Sequence, residues 1–167
     1  MWPIEHWQIQ LVEHTGKHLW IGSHKLIAWQ NSDDQFLLIN ERMYFVDLPG
    51  YGYAKVPKAV KAEWGSMVER YLRERPQLKL AVILVDSRMP PTESDTVMKQ
   101  WLDREQIPNT VVLTKTDKIS RNQLNQALQQ SALTLNTKEI ISFSAVTGFG
   151  KDELLDKIRT AIDHIPQ

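Results

Sequence analysis

Cysteine is absent from this chain, which excludes disulfides and thiolate metal sites. Glycine is scarce, with 7 in 167 residues. Nowhere do the glycines form G-x-x-x-x-G-K-[ST], the loop whose backbone N–H groups cradle phosphates. An excess of one charge is also lacking: 20 basic residues balance 20 acidic ones, for a formal net charge of +0. No global field therefore draws the chain onto nucleic acid, and any such contact must use a local patch. No apolar run approaches the roughly 20 residues of a membrane span, and the first residues lack the pattern of a secretory signal. The expected setting is the cytoplasm. The remaining composition, 42% hydrophobic and 24% charged, is that of one globular domain with a real core.

Tryptophan and histidine are unevenly spread. Trp2, Trp7, Trp20 and Trp29, with His6, His14, His18 and His24, all precede residue 30. These His residues have neither paired helical spacing nor partner acids, so they do not read as metal ligands. The clustering sets residues 1 to about 35 apart from the rest.

From Phe36 onward the pattern alternates β and α. Phe36–Ile39 and Met43–Val46 read as strands around a hairpin turn at Asn40, Glu41 and Arg42. Val60, Trp64, Met67, Val68, Tyr71 and Leu72 recur at helical spacing. Leu80–Val85 and Thr110–Leu113 are continuous apolar runs, as in strands buried on both faces. Thr92 can cap a helix striped by Val97, Met98, Trp101 and Leu102. Ser120 can start one with Leu124, Ala127 and Leu128. Glu139–Phe143 is the last strand, and Leu154, Leu155, Ile158 and Ile162 stripe the last helix. This alternation predicts a mostly parallel sheet with helices on both faces.

Three strand exits carry polar motifs, and ligands of open α/β sheets bind at such exits. Asp47-Leu48-Pro49-Gly50 follows the second strand. Asp47 can hold Mg²⁺ through a water, and Gly50 lets a backbone N–H approach a γ-phosphate. Thr114-Lys115-Thr116-Asp117 follows a later strand; Asp117 can accept from the guanine N1–H and 2-amino group, a donor pair adenine lacks. The Lys115 stem can cover the base. In Phe143-Ser144-Ala145 the Ala145 N–H can reach the guanine O6, with Ser144 bracing the loop. Each motif alone is a common turn or polar loop; their conjunction, in order, points to GTP or GDP as ligand. Lys55, Lys58 and Lys61 read equally as a solvated helix face or as contacts to RNA phosphates.

The run Phe45-Val46-Asp47-Leu48-Pro49-Gly50-Tyr51-Gly52-Tyr53-Ala54-Lys55-Val56 resembles the EngB family of bacterial GTP-binding proteins. Leu84-Val85-Asp86-Ser87-Arg88, Pro90-Pro91-Thr92, Thr114 to Lys118, Phe143 to Ala145 and Gly148-Phe149-Gly150 continue the resemblance, which covers residues 36 to about 163. It implies an α/β P-loop GTPase fold, Mg²⁺-dependent GTP binding and slow hydrolysis. It also implies a role in assembling the large ribosomal subunit or its rRNA precursor, with a link to division septum assembly. A monomer with no DNA or membrane partner is implied. Tyr51 stands where related GTPases place a water-orienting Gln, so no catalytic residue is assigned.

Residues 1–35 do not share the resemblance, and the first strand, phosphate loop and first helix read as lost or replaced. The Trp codon shifted one base forward always gives glycine. Trp2 and Trp7 then supply two glycines at phosphate-loop spacing, and the codons through Ile9 permit G-R-S-N-I-G-K-S. At the same offset, Ala28 to Gln35 permit P-G-K-T-Q-T-I-N, joining Phe36 in register. Residues 1–35 therefore read as a frame error, and residues 36–167 as the remainder of one GTPase domain. The competing readings are a pseudo-GTPase keeping only ribosome contacts and a non-functional frameshift product.

Overall fold

The computed structural model describes residues 9–14, 27–30, 35–39, 43–47, 70 and 72–163. Leu48, Pro49, Gly50, Tyr51 and the lysines at 55, 58 and 61 lie outside them, as do Leu19, Trp20, Ile21 and Leu26.

Strand β5 (Leu78–Asp86) is the centre of the molecule. Successive side chains of a strand point to opposite faces, and here both faces are apolar. Ala81, Ile83 and Val85 enter one core with Met98, Trp101 and Leu102 of helix α1 (Glu93–Arg104). Leu80 and Val82 enter a second core with Ile158 and Ile162 of helix α3 (Lys151–Asp163). Strand β6 (Asn109–Thr114) repeats the division: Val111 and Leu113 face the first core, Val112 the second. Each fully buried side chain of this size contributes about 1.5–3 kcal/mol.

Capping boxes start the helices where the sequence places them. The Thr92 hydroxyl accepts from the Asp95 N–H while the Asp95 carboxylate accepts from the Thr92 N–H, opening α1. Ser120 and Gln123 do the same for helix α2 (Arg121–Thr134). Strand β7 (Ile140–Ser142) precedes α3.

The other strands are β1 (Ile9–His14), β2 (Ile27–Gln30), β3 (Gln35–Ile39) and β4 (Met43–Asp47), and the sheet order is β2-β3-β4-β1-β5-β6-β7. β5, β6 and β7 are parallel neighbours. β3 and β4 pair antiparallel with Ile39 opposite Met43, as a hairpin requires. Strands β2, β4, β5, β6 and β7 share one direction; β1 and β3 run against them.

β1 occupies the slot between β4 and β5 and is antiparallel to both, with Gln10 opposite Asp47 and His14 opposite Met43. A first strand leading into a phosphate loop would run the other way, ending beside Asp47 and Asp86. Here the end of the strand lies at the edge where β4 and β5 begin. Ile27 and Trp29, expected on the frame-error reading to be exposed or to fill this slot imperfectly, do not fill it. Residues 9–14 do, while Ile27–Gln30 add an outer strand to β3. The physical reason is the slot itself: two strand edges with unpaired N–H and C=O groups accept any extended segment, and antiparallel pairing is slightly the more stable per residue.

Candidate functional site

Strands β4, β5, β6 and β7 end on one edge of the sheet, and the motif residues follow those ends. Thr114 closes β6, and its hydroxyl donates to the Val85 carbonyl at 3.1 Å, tying β6 to β5. Lys115 follows in the left-handed region, at φ 58° and ψ 31°. Thr116 opens a single 3₁₀ turn to Lys118; it is buried, and its N–H donates to the Phe143 carbonyl at 3.3 Å. Thr114 and Thr116 thus anchor the loop to its neighbours on either side, with Lys115 between them and Asp117 directly after.

Asp117 meets the loop after β7. The Ser144 hydroxyl, fully buried, donates to Asp117 Oδ1 at 2.7 Å. Exposed Lys118 lies 3.2 Å from Oδ2. The Ser144 hydrogen bond, opposed by partial burial and helped by Lys118, holds the Asp117 carboxyl below its ordinary value. Asp117 is therefore an acceptor at neutral pH, and each oxygen retains capacity for a further donor. Two donors side by side, as on the Watson–Crick edge of guanine, match such a carboxylate.

The Ser144 loop is built to hold that hydroxyl. Phe143 N–H donates to the Leu113 carbonyl at 2.8 Å, Ser144 N–H to Phe149 at 3.0 Å, and Gly148 N–H to Ser144 at 2.9 Å. Thr147 N–H donates to Ser144 Oγ at 3.2 Å, completing that hydroxyl's bonding. Phe143 packs against the second core, and Ala145 is exposed at the turn. Gly150, at φ +74°, lies so close to β7 that a Cβ would stand 1.8 Å from the Ser142 carbonyl oxygen.

Two further residues belong to this edge, Asp86 and Arg88, which sequence motifs alone mark only through the family resemblance. Asp86 ends β5 and accepts from Lys115 Nζ at 2.8 Å. Arg88 forks onto the same carboxylate, Nε to Oδ1 at 2.9 Å and Nη2 to Oδ2 at 2.6 Å, with its N–H on Oδ1 at 3.0 Å. Arg88 first, with Lys115 adding and burial opposing, holds the Asp86 carboxyl far below the usual carboxylate range. An Asp-x-Arg step at the carboxyl end of an apolar strand is the signal that points to the pair.

Asp47 closes β4 on this edge; Leu48, Pro49 and Gly50 lie outside the described residues. The structure thus brings together Thr114, Lys115, Thr116, Asp117, Phe143, Ser144 and Ala145.

No family model matches the chain. Among curated proteins it is similar to the probable GTP-binding protein EngB of Desulforamulus reducens, 50% identical over 138 residues, 80% of this chain and 64% of that protein. The protein of the same name from Shouchella clausii is 46% identical over 133 residues, 78% of this chain and 66% of its own length. That from Levilactobacillus brevis is 47% identical over 120 residues, 70% and 61%. The chain thus spans just under two thirds of these relatives. Among solved structures, a probable GTP-binding protein EngB shares the fold with a TM-score of 0.65 at 22% identity, over 84% of this chain and 83% of that one. Elongation factor SelB of Methanococcus maripaludis, solved with the GTP analogue GppNHp, gives 0.53 at 25% identity, over 87% of this chain and 29% of its own.

Proposed function

Over the region it spans, the chain belongs to the EngB family of GTP-binding proteins, and we propose that it carries the guanine-reading half of a GTPase site without the phosphate-holding half. The Ser144–Asp117 hydrogen bond carries this reading, because it joins two separate motifs into one acceptor aimed at the strand-exit edge. Lys115 supplies an aliphatic stem beside that acceptor, and the Ala145 N–H is the donor assigned to the guanine O6.

The phosphate half does not fit. The sequence holds no G-x-x-x-x-G-K-[ST] loop, and the strand in the first-strand slot runs the wrong way to deliver one to this edge. Mg²⁺ in such sites neutralises charge between the phosphates. Asp47 is the one ligand the sequence supplies for it, and among the described residues no group of three or more His, Asp or Glu side chains stands together. No hydrolytic step follows for the present chain. GTP hydrolysis coupled to large-subunit assembly in the cytoplasm, as a monomer, is the activity we assign to a frame-restored form. The inverted β1 favours one second reading, a ribosome-binding module that no longer depends on nucleotide.

Nucleotide titration tests the assignment. The chain should bind GTP at least about 10³-fold more weakly than an intact relative, since lost phosphate contacts of several kcal/mol convert at about 1.4 kcal/mol per tenfold. The weak binding that remains should favour guanosine over adenosine. In the frame-restored form, Asp117→Asn should turn preference from guanine to xanthine, whose O2 accepts from an amide. Micromolar, Mg²⁺-dependent GTP binding by the present chain would refute the split-site reading. A restored Asp117→Asn variant that still prefers GTP would remove Asp117 as the reader.

A further inference from the structure

We propose that Asp86 is a positioning residue for base recognition, fixing Lys115 as one wall of the guanine pocket. The inference rests on the guanine-binding reading above and adds a residue to it. Lys115 is held at both ends. Its backbone takes the left-handed conformation, φ 58° and ψ 31°, which non-glycine residues adopt at a cost. Its Nζ reaches the Asp86 carboxylate at 2.8 Å.

Asp86 cannot simply follow a wandering lysine. Arg88 engages both carboxylate oxygens through its guanidinium, at 2.9 Å and 2.6 Å, and adds its backbone N–H at 3.0 Å. A two-pronged grip of this kind fixes the plane of a carboxylate as well as its position. Asp86 and Thr114 are paired residues closing parallel strands β5 and β6, so the acceptor stands one strand away from the loop it steadies. The Lys115 side chain is 54% exposed, and an ion pair that open to water contributes little to stability. Its effect falls instead on order: a long, rotamer-rich stem already pinned loses less entropy when a base packs on it. The chain therefore divides the work along this edge. Asp117, braced by Ser144, reads the guanine edge; Asp86, braced by Arg88, places the stem that meets the flat face.

Guanosine and inosine, which carry no phosphate, isolate the base pocket. NMR titrations would compare the full chain with Asp86→Asn, Lys115→Ala and the double variant. Asp86→Asn should weaken both nucleosides by the same factor, about threefold to tenfold for one freed long side chain, because an aliphatic stem has no group that senses the 2-amino substituent. Lys115→Ala should weaken them at least as much, and the double variant should bind no more weakly than Lys115→Ala alone. Arg88→Gln, at an exposed position, should give a smaller loss of the same kind, which keeps the test open if Asp86→Asn disturbs folding. Additive losses in the double variant, or affinity unchanged in both Asp86→Asn and Arg88→Gln, would overturn the positioning role and leave the guanine reading standing. A parent chain with no preference for guanosine over adenosine would overturn both.

Discussion

A methyl group on Gly150 would meet the Ser142 carbonyl oxygen at 1.8 Å, an overlap that only a backbone shift can relieve. Gly148 has nearly the same backbone, φ +75°, but open space where its Cβ would be. The two positions therefore separate left-handed strain from steric overlap. Gly148→Ala should cost about 1–2 kcal/mol for the left-handed conformation alone. Gly150→Ala should cost roughly 1–3 kcal/mol more for overpacking. It should also disturb function, because Gly150 lets α3 begin directly against β7, with its carbonyl accepting the first helical bond from Leu154 at 3.1 Å. Pushing that junction apart moves Ser144 away from Asp117. Chemical denaturation of both variants, with the amide shifts of Ser144 and Asp117 followed by NMR, checks this. Equal destabilisation of the two would rule out the close approach.

Elements with continuous apolar runs or capping boxes are legible in the sequence alone. Leu80–Val85 and Thr110–Leu113 extend by one to two residues at each end, and Thr92 and Ser120 cap α1 and α2 as their spacing implies. The positions of the Thr114–Asp117 and Phe143–Ala145 motifs are legible for the same reason: each follows a strand whose burial the sequence announces. The roles of Asp86 and Arg88 are not, because they depend on Lys115 arriving from the next strand, 29 residues on. The direction of β1 is not legible either. The sequence of Ile9–His14 is compatible with either orientation, and only the neighbours decide it. Cross-linking tests the outcome. Leu11 stands opposite Val46, and Val12 opposite Phe45. Adjacent antiparallel pairs alternate between wide and close Cα spacing, and the close pair suits disulfide geometry. Cysteines placed at one of these two couples should join under mild oxidation, read by mass spectrometry. If neither joins, β1 does not hold this antiparallel register.

Among the described residues the two faces of the sheet are unequally covered, and this bears on what restoring the reading frame would do. On one face, α1 and the end of α2 close the core through Met98, Trp101, Leu102 and Leu135. On the other, the helical core residues among the described ones come from α3, and Phe45, Leu84 and Phe143 are half-buried. Crossovers are right-handed. The passage from β5 through β6 to β7 moves one way across the sheet and puts α1 and α2 on the first face. A helix leaving a parallel strand in the β1 slot moves toward β4, the other way, and so lands on the second face beside α3. Restoring the frame over residues 1–35 should therefore add a helix to the second face, beside α3. Stability should rise by several kcal/mol, the scale of completing a core. GTP with Mg²⁺ should then raise the melting temperature further, since a ligand bound only by the folded state adds RT ln(1 + [L]/Kd). Thermal melts of both forms, with and without nucleotide, decide the matter. If the present chain melts as high and as cooperatively as the restored one, residues 1–35 are an evolved element, and the inverted strand is the working architecture of a nucleotide-independent relative.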